Sequence, residues 1–180
     1  MPVIRKILDR QDLDRILTRI AHEVIERNRG VEQLCIIGIQ SKGVPLAYRL
    51  AGKIEALRAV TLPVGALDIS SHRDDRDFRP QLSPDGRTVI PFDVSNKKII
   101  VVDDVLFTGR SIRAAMDALM DYGRPACIQF FVLIDRGHRE LPVRPDYVGK
   151  NIPTAPAEKV SVRIGRDGAE DAVFLESPDE

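Results

Sequence analysis

The sequence predicts an α/β fold built on a largely parallel sheet. Three observations carry this reading. Strand-length apolar runs recur at 34–39, 99–102 and 126–134, the pattern of strands buried on both faces. Segments with apolar residues at helical spacing, 13–25, 45–53 and 111–122, alternate with them. A length of 180 residues suits a single domain, 1–180, with enough chain to bury a core.

The first helix carries Leu13, Ile16, Leu17, Ile20, Ala21, Val24 and Ile25 on one face, with Asp9 as its cap and Gly30 as its stop. Arg15, Thr18, Arg19 and His22 occupy the opposite face. After the strand at 34–39, the turn Gln40-Ser41-Lys42-Gly43 opens a helix beginning near Pro45 and ending around Lys53; proline in a first turn forfeits no hydrogen bond. Residues 61–67 read as the next strand. The stretch 69–87 is crowded with Ser, His, Arg, Asp and Pro, and a polar segment of that length in a small domain is usually a functional loop. Val89-Ile90-Pro91-Phe92 reads as a strand returning from it. The run at 99–102 leads through two aspartates to a helix over 111–122, capped by Gly123. The strand at 126–134 is followed by a proline-rich, irregular stretch. Residues 159–164 and 172–175 form a closing hairpin through Arg166-Asp167-Gly168, and the acidic tail 176–180 frays.

The 27 basic and 27 acidic side chains cancel. No global field therefore draws the chain to nucleic acid, and any such contact must come from a local patch. Cys35 and Cys127 lie in apolar runs and are expected as reduced core thiols; no CxxC spacing points to zinc. No apolar stretch marks a signal peptide or a membrane span, so a cytoplasmic protein is the expectation.

The most informative segment is Ile99-Ile100-Val101-Val102-Asp103-Asp104-Val105-Leu106-Phe107-Thr108-Gly109-Arg110-Ser111. A buried strand ends in two acids, and a short Thr-Gly turn then opens a helix. The free N–H groups and positive dipole end of a helix start attract phosphate. Gly109 admits close approach of the backbone, and the Thr108 and Ser111 hydroxyls donate hydrogen bonds. Adjacent carboxylates accept hydrogen bonds from a vicinal diol such as ribose O2 and O3. Each feature alone reads equally well as a capped turn; the combination is specific. Neither GxGxxG nor a Walker A lysine pattern is present, which excludes dinucleotide and P-loop readings.

This segment resembles the signature of type I phosphoribosyltransferases, four apolar residues followed by Asp-Asp and then Thr-Gly. The resemblance implies a three-layer fold with a mostly parallel central sheet, a flexible hood loop at about 69–90 and a C-terminal hairpin. It implies that Asp103 and Asp104 are catalytic and bind the ribose hydroxyls of phosphoribosyl pyrophosphate (PRPP). Val105, Leu106, Phe107, Thr108, Gly109, Arg110 and Ser111 would wrap the 5-phosphate, and Gln40, Ser41, Lys42 and Gly43 would form the pyrophosphate loop. Mg²⁺ would arrive with PRPP, with no direct protein ligands expected. Arg73, Asp74, Asp75 and Arg76 in the hood would close over substrate.

Two further motifs, Asp135-Arg136-Gly137-His138-Arg139-Glu140-Leu141-Pro142 and Asp146-Tyr147-Val148-Gly149-Lys150-Asn151-Ile152-Pro153-Thr154, resemble those of the pyrimidine-operon regulators, a bifunctional group within that family. The match runs roughly from the first helix to Ile164. It implies conversion of uracil and PRPP to UMP and pyrophosphate. It also implies attenuation of transcription by UMP- or UTP-dependent binding to the mRNA leader of a pyrimidine operon. Arg136, Gly137 and His138 would shape the base pocket. Thr18, His22, Arg27 and Lys150 match the group's RNA-binding positions, and Arg19 shares their helical stripe. A homodimer or higher assembly is implied as well. Relatives commonly hold Thr-Arg where this chain has Ser41-Lys42, and an ammonium does not reproduce a guanidinium fork. Ala155-Pro156-Ala157 is neutral where relatives tend to be polar or basic. Two alternatives stay open at this point: an RNA-binding nucleotide sensor with little or no catalysis, and a purine phosphoribosyltransferase, which the phosphate loop permits and the 135–154 region disfavours.

Overall fold

A computed structural model describes residues 3–74 and 87–178. Strand β1 (Val3–Leu8) precedes helix α1 (Arg10–Arg27). The Asp9 carboxylate accepts from the Asp12 N–H at 2.9 Å while the Asp12 carboxylate accepts from the Asp9 N–H at 3.0 Å, a reciprocal box that satisfies two donors with no partner inside the helix. The predicted apolar face is the enclosed one: Leu13, Leu17, Ile20, Ala21 and Val24 are buried. Gly30 is not the cap. That position falls to Asn28, whose side-chain amide donates to the Val24 carbonyl at 2.8 Å.

The central sheet has five strands, β2 (Leu34–Ile39), β3 (Val64–Leu67), β4 (Lys98–Leu106), β5 (Cys127–Asp135) and β6 (Tyr147–Asn151), in the order β3-β2-β4-β5-β6. Every pairing in it is parallel. Helix α2 (Gly43–Arg58) carries the chain from β2 to β3, and α3 (Arg110–Met120) carries it from β4 to β5. These crossovers step toward opposite edges of the sheet, so the right-handed rule places the two helices on opposite faces. The core divides accordingly. Residues of α1 and α2 pack with Ile36, Val102 and Phe131 on one face, and Ile112, Ala115 and Leu119 of α3 pack with Ile37, Val101 and Val132 on the other. This is the expected three-layer arrangement. The predicted hairpin, β7 (Lys159–Arg163) with β8 (Ala172–Ser177), joins β1 in a separate antiparallel sheet of order β1-β8-β7.

Several boundaries differ from the sequence reading, each for a physical reason. Helix α2 begins at Gly43 and runs past Lys53, because Leu46, Leu50 and Ile54 keep a four-residue spacing into the core. Strand β3 starts at Val64 rather than 61, since Pro63 has no N–H for a ladder. Residues 89–92 make only one antiparallel bridge, Val89 to Ala66, and Pro91 brings no donor to extend it. Strand β4 runs on through both aspartates to Leu106. Helix α3 ends at Met120 with Asp121 as its cap, not Gly123. Strand β6 lies in the stretch read as irregular, and Glu176 and Ser177, expected to fray, pair with Ile4 and Val3. Residues 179–180 of the expected tail lie outside the described residues. Both cysteines are free, but Cys127 is exposed, because β5 becomes fully covered only from Phe130 onward.

Two glycines set how closely the first crossover sits on the sheet. A Cβ at Gly43 would lie 2.3 Å from the Val102 carbonyl oxygen, and one at Gly38 would lie 2.4 Å from the Gly43 carbonyl oxygen. Bare Cα atoms at both positions let the start of α2 rest directly on β4. Gly52 on the exposed side of α2 would meet nothing within 4 Å. Gly43→Ala should therefore lower stability by about 1–3 kcal/mol through overpacking, whereas Gly52→Ala should raise it by about 0.5–1 kcal/mol by restricting the unfolded chain. Thermal melts of the two variants against wild type check the pair, and a Gly43→Ala protein that melts with wild type would remove the close-approach argument.

Candidate functional site

The chain leaves β2 and β4 in opposite directions across the sheet, and their carboxyl ends are neighbours. Open α/β sheets bind ligands at such a switch point. Here two hollows meet. One of about 570 Å³ is lined by residues 105–111 with Arg73, Asp74 and Glu140. The other, of about 360 Å³, is lined by Gln40, Ser41, Asp68, Ser70 and both aspartates of β4, among others. Arg73, Val105 and Ser111 line both.

The Thr108–Gly109 turn is held from two sides. Gly109, at φ +94°, caps α3 without a side chain, and a Cβ there would lie 2.4 Å from Cγ2 of Val143. No other residue fits both that backbone and that contact. The Thr108 carbonyl accepts from the N–H groups of Glu140 and Leu141 at 2.9 and 3.2 Å, which lays the loop after β5 against the turn. The Thr108 hydroxyl accepts from the Arg110 N–H at 3.3 Å. Arg110 does not aim its charge freely into the hollow. Its guanidinium donates to Glu140 and to Asp74, both at 2.8 Å, and so ties two loops together.

Asp103 and Asp104 stand at the mouth, half-buried. Each carboxylate turns back on the next amide: Asp103 accepts from the Asp104 N–H at 2.8 Å, and Asp104 from the Val105 N–H at 2.9 Å. Loss of solvent, and after it the charge of Asp104, pushes the Asp103 carboxyl well above the usual range; Arg73 offsets part of this.

In the turn after β2, the Gln40–Ser41 peptide is cis. The Gln40 N–H donates to the Leu67 carbonyl at 2.9 Å, and its side-chain amide donates to the Arg87 carbonyl at 3.2 Å. Ser41 and Lys42 are exposed, while Gly43 is buried. The structure thus brings the 40–43 turn, the acid pair and the 107–111 turn to one crevice.

Beyond β5, Arg136 is buried, with its guanidinium stacked 4.0 Å from the centre of the Phe107 ring. It donates to the Thr154 hydroxyl at 3.2 Å and to the Ala155 carbonyl at 3.3 Å. Gly137 and His138 both adopt positive φ. His138 Nε2 lies 2.6 Å from the Thr154 carbonyl oxygen, which can only accept, so that nitrogen carries the proton. The sequence reading missed three participants: the Phe107 ring as a stacking partner, Thr154, and Arg139, which donates to the Phe107 carbonyl at 3.0 Å. Arg139 lies in the polar run from Asp135 to Glu140 and Thr154 ends the second motif, but neither run marks which side chains would meet.

The residues considered for RNA contact lie on the flank formed by α1 and β6. Arg19 donates to Glu23 at 2.7 Å and to the Val148 and Gly149 carbonyls at 3.2 and 2.6 Å. Arg27 pairs with Asp146 at 2.8 Å and lies over the Tyr147 ring. The Thr18 hydroxyl donates to the Asp14 carbonyl at 3.0 Å. His22 and Lys150 are exposed. Asp75 and Arg76 of the predicted hood lie outside the described residues; Arg73 and Asp74 are docked on α3 through Ser111, Arg110 and Arg113. No helix among the described residues is long and apolar enough to cross a membrane.

The model of the phosphoribosyl transferase domain family matches residues 4–166. A relative named bifunctional protein PyrR, from Pelotomaculum thermopropionicum, is 55% identical over 173 residues and covers 96% of each chain. Another of that name, from Geobacter sulfurreducens, is 53% identical over 171 residues, 94% of this chain and 96% of the relative. Among solved structures, the hypoxanthine phosphoribosyltransferase of Trypanosoma cruzi matches with a TM-score of 0.68 over 97% of both chains at 15% identity. A hypoxanthine-guanine phosphoribosyltransferase from Bacillus anthracis matches with a TM-score of 0.63, over 83% of this chain and 84% of that one, at 19% identity. At such identities these two structures speak for the fold alone.

A carboxyl raised in the folded state binds its proton more tightly there than in the unfolded chain. Its stabilising contribution is complete below the ordinary carboxylate range and is lost as pH rises through the raised value. Asp103→Asn, which keeps the oxygen that accepts from Asp104, should therefore melt above wild type at neutral pH, and the gap should close as the pH is lowered into the ordinary carboxylate range. Melting curves across that span check it; a gap that stays constant with pH would contradict a raised Asp103.

Proposed function

The chain belongs to the phosphoribosyl transferase domain family, in its PyrR branch, and from that premise we propose that it transfers the phosphoribosyl group of PRPP to uracil, and that uridine nucleotide bound in the same cleft controls its binding to the mRNA leader of a pyrimidine-biosynthesis operon. The observation that carries the first half is the acid pair of β4 running directly into the Thr108–Gly109 turn and the start of α3, at the switch point of the sheet.

In this reading Asp103 and Asp104 accept hydrogen bonds from the ribose hydroxyls and keep negative charge beside C1 as the oxocarbenium-like transition state forms. The N–H groups at the start of α3, with the Thr108 and Ser111 hydroxyls, hold the 5-phosphate. The 40–43 turn faces the pyrophosphate. The C1–O bond breaks and its electron pair leaves on pyrophosphate; uracil N1 supplies the new pair to C1 and releases its proton to solvent. Among the described residues no group of three or more His, Cys, Asp or Glu side chains is placed to hold a metal. In this reading Mg²⁺ is carried in on PRPP, within reach of Asp103 and Asp104. When bound, it would neutralise charge on the departing pyrophosphate. The backbone at 136–138, braced by Arg136 on Phe107 and by His138 on Thr154, reads the uracil edge. A cytoplasmic setting suits both halves.

For RNA, the α1–β6 flank presents Thr18, His22, Arg27 and Lys150, where cations meet phosphates and Thr and His reach bases of a single-stranded loop. A second reading, a nucleotide sensor with little or no catalysis, is favoured by Lys42: exposed in its turn, it offers a point charge in place of a guanidinium fork.

Incubation of the protein with PRPP, Mg²⁺ and single nucleobases separates the readings. UMP from uracil is expected. No product with any base, together with clear UMP binding, selects the sensor, and competition by hypoxanthine or guanine would revive a purine enzyme. Asp104→Asn should lower uracil turnover by about 10²–10³-fold and leave RNA binding intact, while Thr18→Ala should weaken RNA binding and leave turnover intact. Equal loss of both activities in either variant would argue against separate surfaces.

A further inference from the structure

The β1-β8-β7 sheet turns one face to the core and the other to solvent. Val173 and Leu175 of β8 and Val162 of β7 are buried. Phe174, and Ser161 and Arg163 on either side of Val162, therefore point outward. Residues opposite one another on paired strands share a face. Phe174 lies between Lys6 and Ser161, and one step along the strand Glu176 lies between Ile4 and Lys159. The outer face is thus a half-buried aromatic ring on the central strand, with exposed cations on both flanking strands.

These cations differ from most others in the chain. Arg19, Arg27, Arg49 and Arg110 each hold a carboxylate. Lys6, Lys159 and Arg163 hold none among the described residues. Lys6 and Arg163 instead lean over the ring, with Nζ 5.8 Å and Cζ 4.9 Å from the centre of Phe174. On this face the three cations stand against one acid, Glu176, so the surface is complementary to a polyanion. The ring adds a second requirement, a flat π-system to stack on it, which a run of carboxylates does not meet. A nucleic acid single strand supplies phosphate charge and exposed base faces together, whereas a duplex hides its base faces.

We propose that the outer face of the β1-β8-β7 sheet binds single-stranded nucleic acid. One base stacks on the layer formed by the Phe174 ring and the Arg163 guanidinium, and Lys6 and Lys159 hold the neighbouring phosphates. The Ser161 hydroxyl, beside the ring, is placed to bond the edge of that base. None of these residues lines the two hollows of the cleft or belongs to the α1–β6 flank. The assignment therefore goes beyond the reading above and does not depend on it.

The test is fluorescence anisotropy of a labelled single-stranded RNA of about 12 nucleotides, of mixed sequence unrelated to any pyrimidine operon, titrated with the full chain. Phe174→Leu keeps an apolar filler and removes the ring. It should weaken binding about 5- to 150-fold, the range of one lost base stack, with little change in salt dependence. Lys6→Ala and Lys159→Ala, at exposed positions where folding is not at stake, should each weaken binding and flatten the slope of log affinity against log salt by about 0.7. Uracil turnover should match wild type in all three variants. The same RNA annealed to its complement, and polyglutamate of similar length, should bind far more weakly. Equal binding of either one overturns the assignment, as does a wild-type protein that does not bind the single strand. A Phe174→Leu protein that binds like wild type, or lysine variants with an unchanged slope, overturns it too. Thr18→Ala should leave affinity for this probe unchanged; a loss there with none in Phe174→Leu overturns the proposal and leaves the α1–β6 reading standing.

Discussion

The approach of Gly43 to the Val102 carbonyl is the contact on which the cleft depends. It seats the first turn of α2 on β4, and a Cβ on Gly43 would also lie 3.4 Å from the Asp103 Cα. The turn after β2 and the acids of β4 thus face each other across a distance set by packing rather than by hydrogen bonds. Right-handed crossovers then send α2 and α3 to opposite faces and leave the crevice between β2 and β4 open at its carboxyl end. A side chain at position 43 would push back the whole first crossover, and with it one wall of the cleft.

Charge is neutral over the chain and sorted within the cleft. Arg110 is shared between Asp74 and Glu140, Arg139 is spent on Asp135, and Arg73 is bonded to Ser111. Such partly exposed contacts add little to folding, because solvent screens them. Their effect is geometric: they join the segment before residue 75, the start of α3 and the loop after β5 into one rim. The acid pair shows the opposite economy, since two neighbouring carboxylates raise the energy of the ionised folded state, a local cost that substrate hydroxyls or an incoming cation would relieve.

Elements specified by local pattern were legible in the sequence. The α1 face follows from its periodicity, the Asp9 cap from its residue type, β2 from six consecutive apolar-core positions, and the β7–β8 hairpin from its Asp-Gly turn. Strand β1 was not legible, because its partner among the described residues, β8, is at the far end of the chain. Strand β6 was hidden by Gly149 and the surrounding prolines. Strand β4 reads in the sequence as ending at Val102, because adjacent aspartates suggest a loop; their carboxylates instead fold back on the amide of the following residue and leave the ladder intact. The phosphate turn could be read because its parts are contiguous. Arg73 on Ser111 and Arg136 on Phe107 could not, since each joins segments about thirty or more residues apart that share no periodicity.

Arg19, considered above for RNA, also does something else. Among the described residues, strand β6 ends the central sheet, with a neighbour on one side only. Such an edge offers a foreign strand a ready row of acceptors, the first step toward aggregation. The Arg19 guanidinium already occupies the Val148 and Gly149 carbonyls, so an intruding strand would have to evict a charged donor before it could extend the sheet. Helix α1 thereby guards the open end of the sheet against self-association of the misfolding kind, and the nucleic-acid face, if α1 serves as one, is built on that guard.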